Sequence, residues 1–130
     1  MKKDIVYAPV EGVEVGIVRQ KNELGDHDWT VVLFNEKDVP ITQVFVTSKG
    51  YSDQQQTSVL RHFFADIPPR SNQIIESIMP EVFVLNNEFW VSYYIDGQIF
   101  DKRFVFEAGS ISIENLVIIP SLNRTGILTR

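Results

Sequence analysis

The chain contains no cysteine, which removes disulfides and thiolate chemistry and fits a reducing compartment. Positive charge is also short. Twelve Lys and Arg stand against 17 Asp and Glu, for a net charge of -5. A phosphate-backbone binder needs a basic face, so nucleic acid is excluded as an expected partner. Long apolar runs are missing too, and with them any expected membrane span. Met1 to Pro9 carries two lysines but no apolar stretch after them, because Asp4 and Pro9 interrupt it. No signal peptide and no membrane partner are expected, and the cytoplasm is the default location. The seven glycines are scattered, so no phosphate-cradling loop is built. No repeat or low-complexity segment occurs.

What remains is an ordinary globular composition: 130 residues, 44% hydrophobic and 22% charged. That is one domain's worth of chain with enough apolar surface for its own core. Residues 1–130 read as a single domain, with 110–130 as a C-terminal tail.

The strongest local signal runs from Phe89 to Phe106. Two alternating runs flank Asp96-Gly97, a pair that tolerates the positive φ angles of a two-residue hairpin turn. The turn fixes the register. Ile95 faces Gln98, Tyr93 faces Phe100, Val91 faces Lys102 and Phe89 faces Phe104. Cross-strand partners share a face, so these residues line one side, extended by Phe106. That side is assigned to the core, with the Lys102 stem snorkelling to an edge. The other side carries Tyr94 with Ile99, Ser92 with Asp101, Trp90 with Arg103, and Glu88 with Val105. It mixes charge with large aromatics and is assigned to solvent or a partner.

Before the hairpin, the pattern predicts five more strands. Val13, Val15 and Ile17 alternate in the first. Gln20 to Asp28 is a polar loop, and Trp29 to Phe34 is the second strand. A turn at Asn35 to Asp38, closed by Pro40, leads into the third, Ile41 to Ser48, which Gly50 ends. Val44, Val46 and Ser48 share one of its faces, and Phe45, Thr47 and Lys49 the other. Thr57 to Phe64 is the fourth, with Leu60 and Phe64 inward. Pro68-Pro69 breaks the chain, since proline supplies no ladder donor. Gln73 to Ile78 is the fifth. In the tail, Ser112 is a candidate cap for a short helix through Ile118, stopped by Pro120. Ile127-Leu128 is an apolar cluster able to dock. About seven short strands with regular turns argue an all-β, immunoglobulin-like β-sandwich with a short C-terminal helix or extended tail.

Two sets of residues carry a resemblance. Trp29 to Asn35 followed by Asp38 to Val44, with a Pro68-Pro69-Arg70-Ser71 corner later, is similar to small bacterial immunoglobulin-like modules. Ser48-Lys49-Gly50-Tyr51, Leu60-Arg61-His62, Leu85 to Phe89 and Lys102 to Phe106 resemble a family of short bacterial proteins of the Bacteroidota type. The likeness covers nearly the whole chain, to Gly126-Ile127-Leu128. Its motifs are structural, so it implies the fold and supplies no activity. Some members are labelled phenylalanyl-tRNA synthetase alpha subunit. That label is not carried over, because such a core needs ATP-binding arginines inside a far longer chain.

Candidate chemistry is thin. Asp26-His27-Asp28 is an acid–histidine cluster, but three consecutive loop residues rarely converge on one metal ion, and a solvated loop is the expected reading. His62 would need a nucleophile and an orienting acid beside it, and Ser58, Thr57 and Asp66 do not reach one side of the strand with it. Glu76 and Glu81 flank a proline turn and read as surface. No catalytic residue, metal site or cofactor is expected.

The outward stripe is the better signal. If the third strand lies beside Phe89 to Ile95, Phe45 joins Trp90, Tyr94, Ile99, Arg103 and Val105 on one outer face, with a cation–π contact between Arg103 and Trp90. Two arrangements fit: the tail folds over this face, or another molecule does. The expected function is a non-enzymatic interaction module or assembly subunit, with a protein partner or self-association. The alternative is a carbohydrate-type small-ligand binder using the same face.

Overall fold

A computed structural model describes residues 8–129. Residues 1–7 and 130 lie outside the described residues. Among the described residues nine strands form: β1 (Val13–Lys21), β2 (His27–Asn35), β3 (Ile41–Tyr51), β4 (Leu60–Ile67), β5 (Ser71–Ser77), β6 (Asn86–Ile95), β7 (Gln98–Phe106), β8 (Val117–Ile119) and β9 (Arg124–Leu128). Two antiparallel sheets pack face to face, ordered β5-β2-β1-β9-β8 and β4-β3-β6-β7. The first seven strands follow an immunoglobulin-like Greek key, β5-β2-β1 against β4-β3-β6-β7.

The core lies between the sheets because alternate residues on both point inward. Val13, Val15, Ile17, Trp29, Val31 and Leu33 come from one side, and Val44, Val46, Phe89, Val91, Tyr93, Phe104 and Phe106 from the other. The hairpin register is as expected, from Ile95↔Gln98 out to Glu88↔Val105. Asp96 (φ 48°) and Gly97 (φ 77°) both take the left-handed region that this turn requires. Lys102 does escape the core, and its ammonium lies 4.8 Å from the Phe104 ring centroid. Its charge partly offsets the upward push that burial gives the Glu14 carboxyl.

Strict alternation fails at Gln43, where φ is 47° and the β3–β6 register shifts. The irregularity lets Ile41 and Val44, three residues apart, both point into the core. Strand ends also differ from expectation. β3 runs through Gly50 to Tyr51, paired with Asn87 and Asn86. The Gln20–Asp28 segment is mostly hairpin, since Lys21 pairs with His27. Asn22 closes its tip by accepting from the backbone N–H groups of Leu24 and Asp26.

The tail is neither helix nor free. Ile113–Asn115 forms a single 3₁₀ turn, with no capping bond from the Ser112 side chain. Val117 to Ile119 then enters a strand, as three β-branched residues favour. The β8–β9 hairpin continues the five-stranded sheet, with β9 on the edge of β1 through Gly16↔Leu128 to Arg19↔Thr125. Ile119 and Leu122 cover part of the outer side of that sheet, while Ile127 joins the inner core. Ile119 is buried with Val18, Val32 and Phe34, and Leu122 packs against them. Two glycines make the space. A Cβ on Gly16 would stand 3.0 Å from the Phe34 ring, and one on Gly126 would stand 2.7 Å from Ile119 Cδ1.

Candidate functional site

The outer face of the β4-β3-β6-β7 sheet is built from successive rows of cross-strand neighbours. Phe63, Phe45, Ser92 and Asp101 form one row. Arg61, Thr47, Trp90 and Arg103 form the next. Tyr94 and Ile99 pair nearer the β6–β7 turn, and Glu88 pairs with Val105 at the other end. All the expected residues therefore share this face. Phe45 and Trp90 are 52% and 45% exposed, whereas Tyr94 and Ile99 are half-buried. Phe63 was missed as a member. It is 54% exposed and packs on Phe45 with ring centroids 4.8 Å apart. The signal was present, because placing Leu60 and Phe64 inward leaves Phe63 outward.

The tail does not lie on this face. It pairs with the opposite sheet through β9, so the arrangement in which the tail covers the aromatic face is not the one formed.

The expected Arg103–Trp90 cation–π contact is replaced by three hydrogen bonds. Arg103 Nε donates to Glu88 Oε1 at 2.5 Å and a terminal nitrogen donates to the Tyr51 hydroxyl at 3.0 Å. Trp90 Nε1 donates to Asp101 Oδ1 at 2.6 Å. The carboxylate wins over the ring because a charge-assisted hydrogen bond is stronger than a partly solvated π contact. Glu88 raises the Arg103 pKa still further, so that residue stays charged. The face thus has fixed donors and acceptors around its aromatic centre.

A second feature lies between the sheets, at the open side where β4 and β5 form opposite edges. The β2–β5 register shifts between Val31 and Val32, so Val31 opposes Glu76 while Val32 opposes Ile74. This bulge turns Glu76 inward, and its side chain is only 15% exposed, which corrects the surface reading. Glu76 Oε1 accepts from Ser48 Oγ at 2.8 Å and lies 2.8 Å from His62 Nε2. The two bonds tie β3 and β4 to β5. They do not make a nucleophilic triad, because Ser48 donates to Glu76 and not to His62. The neighbouring cavity, about 340 Å³, is lined by Leu60, Ile78, Met79, Val82 and Phe89 along with Ser48 and Glu76.

Asp26, His27 and Asp28 lie at the far end of the β1–β2 hairpin, with Asp28 bonded to Asn22. Among the described residues, no three His, Asp or Glu side chains gather closely enough to hold a metal ion.

No family model matches the chain, and no curated protein and no solved structure matches it.

Proposed function

We propose that this chain is a non-enzymatic interaction module that associates with a second copy of itself through the outer face of the β4-β3-β6-β7 sheet. One observation carries the reading. Phe45, Phe63 and Trp90 stay exposed together at the centre of one sheet face, with Phe45 and Phe63 in ring contact, whereas on the other sheet Ile119 and Leu122 cover Val18, Val32 and Phe34 and leave only separate aliphatic side chains such as Ile74 and Val117 exposed. A contiguous exposed aromatic cluster on one sheet face marks an interface. Charge favours a like partner. Lys49, Arg61 and Arg103 are matched on or beside the face by Asp66, Glu88 and Asp101, so a copy meets both signs. A cytoplasmic location belongs to the same proposal. Among the described residues no helix is long and apolar enough to cross a membrane.

Light scattering after size exclusion tests it. The expected mass is near twice 14.9 kDa, and Trp90→Ala or Phe63→Ser should return it to one copy with the melting temperature held. A wild-type monomer, or a dimer that survives both substitutions, overturns the reading. Point substitutions are the right perturbation. Ending the chain near Gly109 would remove β8 and β9 and bare Val18, Val32 and Phe34.

A further inference from the structure

The cavity beside Glu76 has no part in that association and lies on the inner side of the sheets. We infer that it is a binding site for a small organic cation: an ammonium group on a compact apolar body.

Four observations lead there. The volume of about 340 Å³ falls at the low end of small-molecule sites, which span roughly 300–1,000 Å³. Its walls are mostly apolar, so a bound body gains by leaving water. A bulge, a local irregularity often found beside functional sites, aims the carboxylate there. Finally, the carboxylate is half used. Ser48 and His62 both engage Oε1, and among the described residues no protein donor reaches Oε2.

The sign of the ligand follows from what faces the cavity. Lys49 is the other ionisable residue in the wall, but its ammonium is turned to the outer face, 5.7 Å from the Tyr51 ring centroid. Glu76 is therefore the charge that a ligand meets. An ionised carboxylate accepts hydrogen bonds and donates none, so an anion is repelled and a cation is held. Ser48 and His62 fix the rotamer of Glu76 in advance, which spares the ligand that ordering cost.

The same contacts could serve only to latch β4 to β5, and the experiment separates the two roles. Phenethylamine, phenethyl alcohol and phenylacetate share one apolar body and differ in the head group. Titration calorimetry on the full chain should show saturable binding of the amine, tighter than the alcohol or the acid by about 10-fold or more, as a charged hydrogen bond is worth. Glu76→Gln should bring the amine to the level of the alcohol. Leu60→Trp, at the exposed mouth, should block all binding while keeping the latch and the fold. Trp90→Ala should leave amine affinity unchanged, which separates this site from the association face. No amine binding, equal binding of the three probes, or amine binding that survives Leu60→Trp would overturn the assignment. If Glu76→Gln fails to fold, the probe ranking and Leu60→Trp decide.

Discussion

Gly126→Ala is the sharpest test of how the tail is built in. The added Cβ would sit 2.6 Å from the Ile17 carbonyl oxygen and 2.7 Å from Ile119 Cδ1. The Ile119 methyl can rotate away. The Ile17 oxygen cannot, because it belongs to the β1 backbone that β9 pairs with, Val18 lying directly opposite Gly126. The strand itself has to move. If it moves locally, overpacking costs about 1–3 kcal/mol. If β8 and β9 peel away, Ile119 and Ile127 lose their burial, at about 1.5–3 kcal/mol each. A loss of about 3 kcal/mol is expected, roughly 10–15 °C in melting temperature for a domain of this size. Urea unfolding followed by tryptophan fluorescence measures it, and the slope tells the two responses apart. Local strain leaves the slope unchanged, whereas a peeled hairpin lowers it, because the native state then exposes more surface already. The exposed neighbour Thr125→Ala is the control, expected within about 0.5 kcal/mol. A Gly126→Ala protein as stable as that control would mean that β9 does not lie on β1, and the cover of Val18 and Phe34 would fall with it.

Other expectations follow from buried polar groups. Tyr93 is buried, stacked on Phe100, and its hydroxyl has no partner among the described residues, so Tyr93→Phe should be neutral or stabilising by about 1 kcal/mol in the same urea assay. Burial pushes the Tyr93 phenol up to about 12 from 10.0, so a phenolate absorbance step near there should be lost in Tyr93→Phe. The unfolded chain loses that proton first. Stability should therefore be unaffected by this group below pH 10 and fall by up to about 3 kcal/mol as pH rises to about 12, and that fall should be missing from Tyr93→Phe. Asn35 is buried, and its Nδ2 donates to the carbonyls of Val39, Ile67 and Pro68. Asn35→Ala should cost about 3 kcal/mol by stranding those acceptors, and Asn35→Asp at least as much despite its shape, because a carboxylate offers them no donor.

Local chemistry explains which parts of the fold are legible in the sequence. The Phe89–Phe106 hairpin is readable residue by residue because a two-residue turn permits one register, and Asp96-Gly97 names the turn. The outer aromatic face follows from that register plus the parity of Phe45. Phe63 is available by the same rule on β4. Asp101 and Glu88 are less readable, since their partners depend on rotamers that strand parity does not set. Trp90 and Arg103 stand opposite each other in the ladder, yet each turns to a carboxylate instead.

The parts that escape prediction share one cause: each depends on a partner remote in sequence or on an inserted residue. Val117 to Ile119 is too short to identify itself, and only the open edge of β1, about a hundred residues earlier, makes it part of a sheet. Gly16 and Gly126 look like unrelated glycines until β9 lies on β1, when the absence of both side chains lets Phe34 and Ile119 lie close over the backbone. Glu76 is harder still. Its place beside a proline turn reads as surface, and the β5 bulge, which sets the adjacent Ile75 and Glu76 both inward, overturns that reading. A single shift in parity turns a surface acid into the group that joins three strands and faces the cavity. The aromatic face needed regularity to be seen. The carboxylate site exists because regularity fails at that one place.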